Sequence, residues 1–250
     1  MMNENDILIA RMNDLATRAA KTGFAASKFL TPAESQSIVN HFSHRRDAIL
    51  TVDGGFDGAE RARAVFTNPD WGVYERVDLF AALKAVHRPQ DTLGHRDILG
   101  TLMAQGVERD TIGDIIVDEA ASAFVCLPEL GGYIIENFTK AGRVGLDVSV
   151  IGLDEIPARE EELTIKTDTV ASLRPDAVLC AAFGLSRAKA AELIAAGRVS
   201  FNHQVCLRTD KEVDENSLLS VRGLGRAKLL EVGGVSRKGR NFIKIGVYGR

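Results

Sequence analysis

The fold of the C-terminal part of the chain is predicted from the segment Ser186-Arg187-Ala188-Lys189-Ala190-Ala191-Glu192-Leu193-Ile194-Ala195-Ala196-Gly197-Arg198-Val199. Ser186 is a typical helix N-cap and Gly197 is typical of the residue after a helix, so a helix is predicted between them. Pro175 and Gly184 predict a second helix upstream for similar reasons. Strands are predicted downstream at residues 199–201, 205–207, 218–221, 228–231 and 242–247. We therefore expect two short helices packed on a small twisted sheet, in a domain at residues 171–250.

Residues 1–72 are predicted to form an N-terminal helical α/β domain. Thr31-Pro32-Ala33-Glu34 combines an N-cap, a proline at the first helical position and a glutamate three residues after the cap. This pattern predicts a helix that reaches about residue 44. Residues 49–52 predict a strand, and the pattern of residues 59–66 predicts a further helix. Asn68-Pro69-Asp70 breaks that pattern and offers a domain boundary.

Residues 73–170 are predicted to form a ferredoxin-like domain. The predicted elements are, in order, strand 78–86, helix 96–105, strands 114–117 and 123–127, helix 128–139 and strand 144–151. This β-α-β-β-α-β order is that of the split βαβ of ferredoxin-like folds. Residues 163–170 either add a strand or lead into a linker. The chain as a whole is thus expected to be a multidomain α+β protein.

The charge of the chain is distributed unevenly. Residues 171–250 contain 14 Lys+Arg and 7 Asp+Glu, a charge of +7, whereas residues 1–170 contain 17 and 27, a charge of −10; together they give the net charge of −3. A basic segment of this kind is typical of an end that binds a polyanion. Charge alone leaves open that the basic part docks on the acidic part of its own chain.

The remaining bulk features indicate a cytoplasmic protein without a metal or cofactor. Cys126, Cys180 and Cys206 are widely spaced and form no C-x-x-C pair, so we expect three small buried hydrophobic side chains. No apolar run has the roughly 18 residues that a membrane helix needs. The first ten residues carry Glu4 and Asp6 and do not resemble a secretory signal.

Several motifs resemble a known family. Arg174-Pro175-Asp176, residues 186–199 and Asn202 resemble the S-four domain, the RNA-binding domain first known in ribosomal small-subunit protein four. Residues 222–228 (RGLGRAK) and 237–240 (RKGR) make the chain similar to the YlmH family of bacterial ribosome-associated proteins, and so do residues 53–61, 95–100 and 113–116. Two positions depart from the S-four pattern: Pro175 stands where leucine is usual, and His203 where glycine is usual. Both Asn202 and His203 tolerate positive φ, so the hairpin turn is expected to form.

This resemblance implies both domains and partners. It implies a domain assigned to RNA binding in the middle of the chain and an S-four domain at its end. It also implies ribosomal RNA and tRNA on the large ribosomal subunit as partners, and, in some bacteria, a role in ribosome-associated quality control of stalled translation. We expect a monomer that binds structured RNA and no membrane.

The residues themselves explain how RNA could be bound. The helix start at Ser186 favours an anion, and Arg187 adds a guanidinium fork that fits phosphate. Gly223 permits a tight turn or a close approach of the main chain to a partner, while Arg226 and Lys228 are two apart on a strand and would share one face. The candidate RNA-binding residues are Arg174, Ser186, Arg187, Lys189, Arg198, Asn202, Arg222, Gly223, Arg226, Lys228, Arg237, Lys238 and Arg240.

The aromatic residues of the C-terminal part indicate which kind of RNA is bound. Phe183, Phe201, Phe242 and Tyr248 lie within apolar patterns, so no row of exposed stacking rings is expected. We therefore expect recognition of folded RNA through its shape and phosphates. A solvated basic face without a ligand remains the alternative.

Catalytic motifs are incomplete, and we expect a non-enzyme. His95-Arg96-Asp97 resembles a kinase catalytic loop, but Leu102 stands where that loop requires asparagine. Residues 53–58 do not fit the spacing of a calcium loop. The first 170 residues carry no signature of the pseudouridine synthases or methyltransferases that S-four domains accompany. Two alternatives stay open: a protein-interaction adaptor with a basic RNA anchor, and an RNA-modifying enzyme.

Overall fold

Two helices and a three-stranded antiparallel sheet form the N-terminal part of the computed structural model, which describes residues 3–157, 163–210 and 212–249. The sheet has the strand order β1-β3-β2. The predicted capping box of Thr31 and Glu34 is confirmed at the start of the second helix. The elements are α1 (Glu4–Thr22), β1 (Phe24–Leu30), α2 (Pro32–Phe42), β2 (Ile49–Asp53) and β3 (Ala62–Thr67).

The prediction of a helix at residues 59–66 is wrong, because this segment contains most of strand β3. β3 is the central strand and pairs with both neighbours, and Ala64, Val65 and Phe66 are fully buried. A strand that is buried on both faces has a continuous apolar run, and periodicity alone cannot distinguish such a run from a buried helix. Strand β1, which supplies the other edge of this sheet, was not predicted either.

A four-stranded antiparallel sheet follows, with two helices between its strands. Its strand order is β5-β6-β4-β9, and the chain order strand–helix–strand–strand–helix–strand is the one predicted. The single strand predicted at residues 144–151 is divided into β8 and β9. The elements are β4 (Ala81–Val86), α3 (His95–Ala104), β5 (Ile112–Val117), β6 (Ala121–Cys126), α4 (Pro128–Asn137), β7 (Lys140–Ala141), β8 (Val144–Gly145) and β9 (Asp147–Ile151), with 3-10 turns at Arg76–Asp78, Arg109–Thr111 and Leu153–Glu155.

The two faces of this four-stranded sheet have different partners. One face packs against α3 and α4 through a cluster that includes Leu102, Phe124 and Ile134. The other face shares a buried cluster with the N-terminal sheet, where the rings of Phe29 and Phe80 lie 5.8 Å apart. This cluster joins the two predicted N-terminal domains, so Met1–Arg159 forms one compact unit. Glu160–Arg250 forms a second unit. The division into three domains stays a prediction.

The second unit contains two helices and a six-stranded antiparallel sheet. The first helix ends where predicted, at the left-handed Gly184, and the second begins where predicted, with Ser186 as its N-cap. The sheet has the order β10-β15-β14-β13-β11-β12. The sequence left open whether residues 163–170 form a strand or a linker, and they form an edge strand of this sheet. The elements are β10 (Leu163–Val170), α5 (Pro175–Phe183), α6 (Arg187–Ala195), β11 (Val199–Phe201), β12 (Gln204–Val205), β13 (Leu218–Val221), β14 (Gly225–Val235) and β15 (Asn241–Tyr248).

One core holds this second unit together. Leu179 of α5 and Ile194 of α6 are buried against Leu219, Leu229 and Ile245 of the sheet. No helix in the described ranges is long and apolar enough to cross a membrane.

Candidate nucleic-acid interface

An open groove of about 630 Å³ lies between the end of α6 and the turn that joins β13 to β14. Arg198, Arg222 and Arg226 line it together with Gly223. These are four of the residues that the sequence singled out, and the fold brings them together. No acidic side chain is among the described residues that line the groove.

Reciprocal hydrogen bonds hold the floor of this groove. The backbone N–H of Arg222 donates to the carbonyl of Arg198 at 2.9 Å, and Nη2 of Arg198 donates to the carbonyl of Arg222 at 3.0 Å. Gly223 has φ +88° and Gly225 has φ +113°, conformations that glycine adopts without strain. A Cβ on Gly223 would lie 3.4 Å from Nη2 of Arg198. The turn therefore fixes the position of Arg198.

The first residues of β14 place two cations on one face, as predicted. Ala227 and Leu229 point into the core and are fully buried, so Arg226 and Lys228 point to the opposite face and are half-buried. The guanidinium of Arg226 lies over the ring of Tyr248, 4.9 Å from its centroid. Arg222 is exposed, and its side chain makes no ion pair within the described part of the chain.

The start of α6 carries a second set of predicted residues, but they contact other groups of the protein. Nη1 of Arg187 lies 2.7 Å from the carboxylate of Asp176, in the first turn of α5. Lys189 pairs with Glu192, while the Ser186 hydroxyl accepts from the backbone N–H of Lys189 at 3.2 Å. α6 has nine residues, so its start and the groove at its other end are about 14 Å apart. The predicted residues thus form separate clusters.

The remaining basic residues lie at the edges of the unit. Nε of Arg174 donates to the carbonyl of Thr209 at 2.9 Å, and Arg240 donates to the hydroxyl and the carbonyl of Thr169. Arg237 and Lys238 are exposed in the turn between β14 and β15. Arg174 and Arg240 therefore bind the protein's own main chain, whereas the cations of the turn face solvent.

Asn202 has a structural role at the hairpin between β11 and β12. Its side-chain carbonyl accepts from the backbone N–H of Leu218 at 2.8 Å. Asn202 has φ +44° and His203 has φ +66°. The expectation that both residues adopt positive φ is confirmed, and this conformation suits a two-residue hairpin turn.

One aromatic residue departs from expectation. Phe242 was expected to be covered, but its side chain is 45% exposed. The strand alternates, with Ile243 and Ile245 facing the core, and this places Phe242 outward. Phe183 and Phe201 do pack against the core. Two contributors to the site were missed from sequence: Tyr248, which supports Arg226, and Asp176, which binds Arg187.

The two motifs that resemble catalytic or metal sites stabilise local structure. Oδ2 of Asp97 accepts from the backbone N–H of Gly94 at 2.8 Å and caps α3. Asp53 accepts from the backbone N–H of Gly55 and binds Arg76 at 2.9 Å. Of the three cysteines that were expected to be buried, Cys126 is buried, whereas Cys180 and Cys206 are half-buried near the surface of the second core. Burial raises the pKa of the Cys126 thiol to about 12, which disfavours the thiolate that metals and disulfide exchange require. Within the described ranges, no three His, Cys, Asp or Glu side chains group as a metal site would.

Comparisons with known proteins agree with the resemblance of the motifs. A family model described as "Putative RNA-binding domain in YlmH" matches residues 77–155. The protein called "Ribosome-associated protein quality control protein P2" of Bacillus subtilis (strain 168) is 32% identical over 212 residues, which cover 84% of this chain and 82% of that protein. A solved structure, "Cell division protein ylmH from Streptococcus pneumoniae", is 20% identical with a TM-score of 0.52 and covers 63% of this chain and 97% of its own; it shows a shared fold alone. The identity and coverage of the Bacillus protein show that this chain belongs to the YlmH family.

Proposed function

We propose that this protein is a non-enzymatic RNA-binding protein of the ribosome, which binds large-subunit rRNA and tRNA and acts in quality control of stalled translation. The observation that carries the proposal is the groove in which Arg198, Arg222 and Arg226 converge without an acidic lining residue in the described part of the chain. The name of the Bacillus relative and the description of the matching family support this role.

The chemistry of the groove suits the phosphates of a folded RNA. A guanidinium offers a planar fork of N–H donors that matches two phosphate oxygens, and it stays charged at neutral pH. The ring of Tyr248 packs against the guanidinium of Arg226, so less conformational freedom is lost when this side chain binds phosphate. The positive φ at position 223 favours glycine, which has no side chain to block the approach of RNA to the turn.

The other parts of the chain take supporting roles in this proposal. The second unit acts as an S-four-like domain, with Lys228, Arg237 and Lys238 as further phosphate contacts. The segment matched at residues 77–155 acts as a ferredoxin-like RNA-binding domain. The protein acts as a cytoplasmic monomer. Arg187, Lys189, Arg174 and Arg240 rank lower as RNA contacts than the groove residues, because they lie outside the groove in which three cations converge.

Sedimentation with purified bacterial large ribosomal subunits at rising KCl tests the proposal. The variant Arg222→Ala/Arg226→Ala removes two groove cations, while Arg208→Ala/Lys244→Ala removes two cations of the same unit outside the groove. We expect the groove variant to bind at least about tenfold more weakly and to lower the slope of log affinity against log salt by about two. The control variant should bind like the unchanged protein.

Two outcomes would contradict the proposal. Equal losses in both double variants would show that any positive charge suffices and that the groove is not the site. Recovery of chemically altered rRNA or tRNA after incubation with the protein, judged by mass spectrometry of nuclease digests, would show an enzyme.

A further inference from the structure

A second groove, of about 680 Å³, lies in the first unit between α1, β1 and the 3-10 turn at Arg109–Thr111. It combines more cations than anions within an acidic unit. Met1–Arg159 contains 16 Lys+Arg and 23 Asp+Glu, a charge of −7. The charged residues that line the groove are Arg11, Arg18, Lys28, Arg61 and Arg109, with Asp14, Glu34 and Asp110.

Two arginine side chains from distant parts of the sequence meet in this groove. Nε of Arg61 donates to the carbonyl of Ile112 at 3.2 Å, and Nη1 of Arg109 donates to the same oxygen at 2.6 Å. Arg61 also donates to the carbonyl of Phe29 at 3.1 Å, and Arg109 to that of Gly113 at 3.2 Å. The shared acceptor holds two like charges side by side.

Neither guanidinium of this pair is neutralised by a salt bridge within the described part of the chain. A guanidinium has five N–H donors, and two of each are used on main-chain carbonyls, so three on each side chain remain for a ligand or solvent. Both side chains are half-buried. Burial lowers the pKa of Arg61 and of Arg109 and the charge of Arg61 lowers that of Arg109 further, while the carboxylate of Asp114 raises both. An anion in the groove would offset this repulsion.

The carboxylates near the pair are bound to other groups. Glu34 accepts from the backbone N–H and the hydroxyl of Thr31, both at 2.7 Å, as part of the α2 cap. Asp110 binds Lys28 at 3.1 Å. Asp114 accepts from the backbone N–H groups of Glu60 and Arg61. These contacts order the walls of the groove. The carboxylates keep their charge, and the lining still has five cations against three anions.

Helix α1 adds two arginines beyond the pair, with the exposed carboxylate of Asp14 between them in sequence. Arg11 and Arg18 are exposed and lie on the face of α1 that lines the groove. They are seven residues apart, which is about 10 Å along a helix. Cations spread over such a distance suit a chain of phosphates better than one small anion.

We propose that this groove is a second phosphate-binding site, through which the N-terminal unit holds the backbone of a folded RNA. The inference rests on the proposed function, because it assigns a further contact to the same RNA-binding protein. Arg61 and Arg109 bind phosphate at the centre of the site, and Arg11 and Arg18 bind neighbouring phosphates at its rim.

The rim arginines provide a test that does not depend on the buried pair. Arg61→Ala or Arg109→Ala would remove hydrogen bonds to main-chain carbonyls and could unfold the unit, whereas Arg11 and Arg18 are exposed on a helix. The test variant is therefore Arg11→Ala/Arg18→Ala in the full chain. The control, Arg88→Ala/Arg143→Ala, removes two exposed charges of the same unit outside the groove.

Binding to large ribosomal subunits is measured against KCl, and ultraviolet cross-linking with mass spectrometry maps the peptides that contact RNA. We expect the rim variant to bind about tenfold more weakly with a salt slope lower by about two, and the unchanged protein to cross-link within residues 8–34. Unchanged binding by the rim variant, or an equal loss in the control, would overturn the inference.

Two further results separate this inference from the proposed function. If the rim variant binds normally while Arg222→Ala/Arg226→Ala fails to bind, the second site is refuted and the first stands. If the unchanged protein binds no RNA, the proposed function itself fails. Calorimetry with inorganic phosphate completes the test: a dissociation constant below about 0.1 mM, combined with normal RNA binding by the rim variant, would identify a small-anion site and overturn the RNA assignment.

Discussion

Replacing Arg187 by alanine tests whether this residue supports the fold or reads phosphate. In the structure Nη1 of Arg187 binds Oδ2 of Asp176 at 2.7 Å, which ties the first turn of α6 to the first turn of α5. The other carboxylate oxygen of Asp176 is buried without a hydrogen bond. Arg187→Ala would therefore leave a poorly solvated carboxylate without a hydrogen bond, with the Nε of Arg174, 3.8 Å from Oδ1, as its remaining ionic partner in the described part of the chain.

The expected loss of stability follows from the exposure of the two partners. The side chain of Arg187 is 50% exposed and that of Asp176 is 15% exposed. Exposed pairs contribute about 0–1 kcal/mol, and breaking fully buried pairs costs about 3–5 kcal/mol. We expect Arg187→Ala to lower the free energy of local unfolding by about 2 kcal/mol. Asp176→Ala/Arg187→Ala leaves no unpaired carboxylate and should lose only about 1 kcal/mol.

Hydrogen exchange of the full chain, followed by mass spectrometry, measures this effect locally. A loss of about 2 kcal/mol corresponds to roughly 30-fold faster exchange in the peptides of α5 and α6. Lys189→Ala is the matched control on the same helix, because its pair with Glu192 is exposed and contributes at most about 0.5 kcal/mol. Unchanged exchange in Arg187→Ala, together with tenfold weaker binding to large ribosomal subunits, would refute the structural role and make Arg187 a phosphate contact.

Two other properties can be checked on the full chain. Gly223→Ala places a side chain at φ +88° and a Cβ 3.4 Å from Nη2 of Arg198, so we expect the free energy of unfolding to fall by about 1 kcal/mol and RNA binding to weaken. Gly234→Ala is the control, because no atom lies within 4 Å of its Cβ, and it should change neither property. Equal effects of the two variants in chemical denaturation and in sedimentation would contradict this. Burial raises the pKa of Cys126 to about 12 and also raises that of Cys180. Alkylation at pH 8, followed by mass spectrometry, should therefore label Cys206 first and Cys126 only in denaturant; rapid labelling of Cys126 in the native protein would count against its burial.

Much of the second unit could be predicted from sequence because its signals are local. The cap at Ser186 and the left-handed Gly184 involve contacts within four residues along the chain. The positive φ of Asn202 and His203 follows from a two-residue turn, which depends on the residue types in the turn itself. The outward face of Arg226 and Lys228 follows from strand alternation.

The errors occurred where burial on both sides removed the periodic pattern or where the partner lies far along the chain. Strand β3 resembles a helix in sequence because both of its faces are covered. Residues 163–170 join the last sheet because they pair with β15, and no local signal distinguishes an edge strand from a linker there. Phe242 lies in an apolar pattern, yet its strand turns that ring to solvent.

Local residue types predict the helix ends and turns of the second unit, its basic charge and the residues that resemble the YlmH family. Each of these depends on a residue type or on neighbours a few positions away. The folded chain sets which cations lie together: Arg198, Arg222 and Arg226 converge in one groove, while Arg187 is bound to Asp176. It also brought Arg61 and Arg109 to one carbonyl oxygen. Such groupings arise from packing between segments distant in sequence, and packing is a property of the whole core rather than of any local stretch.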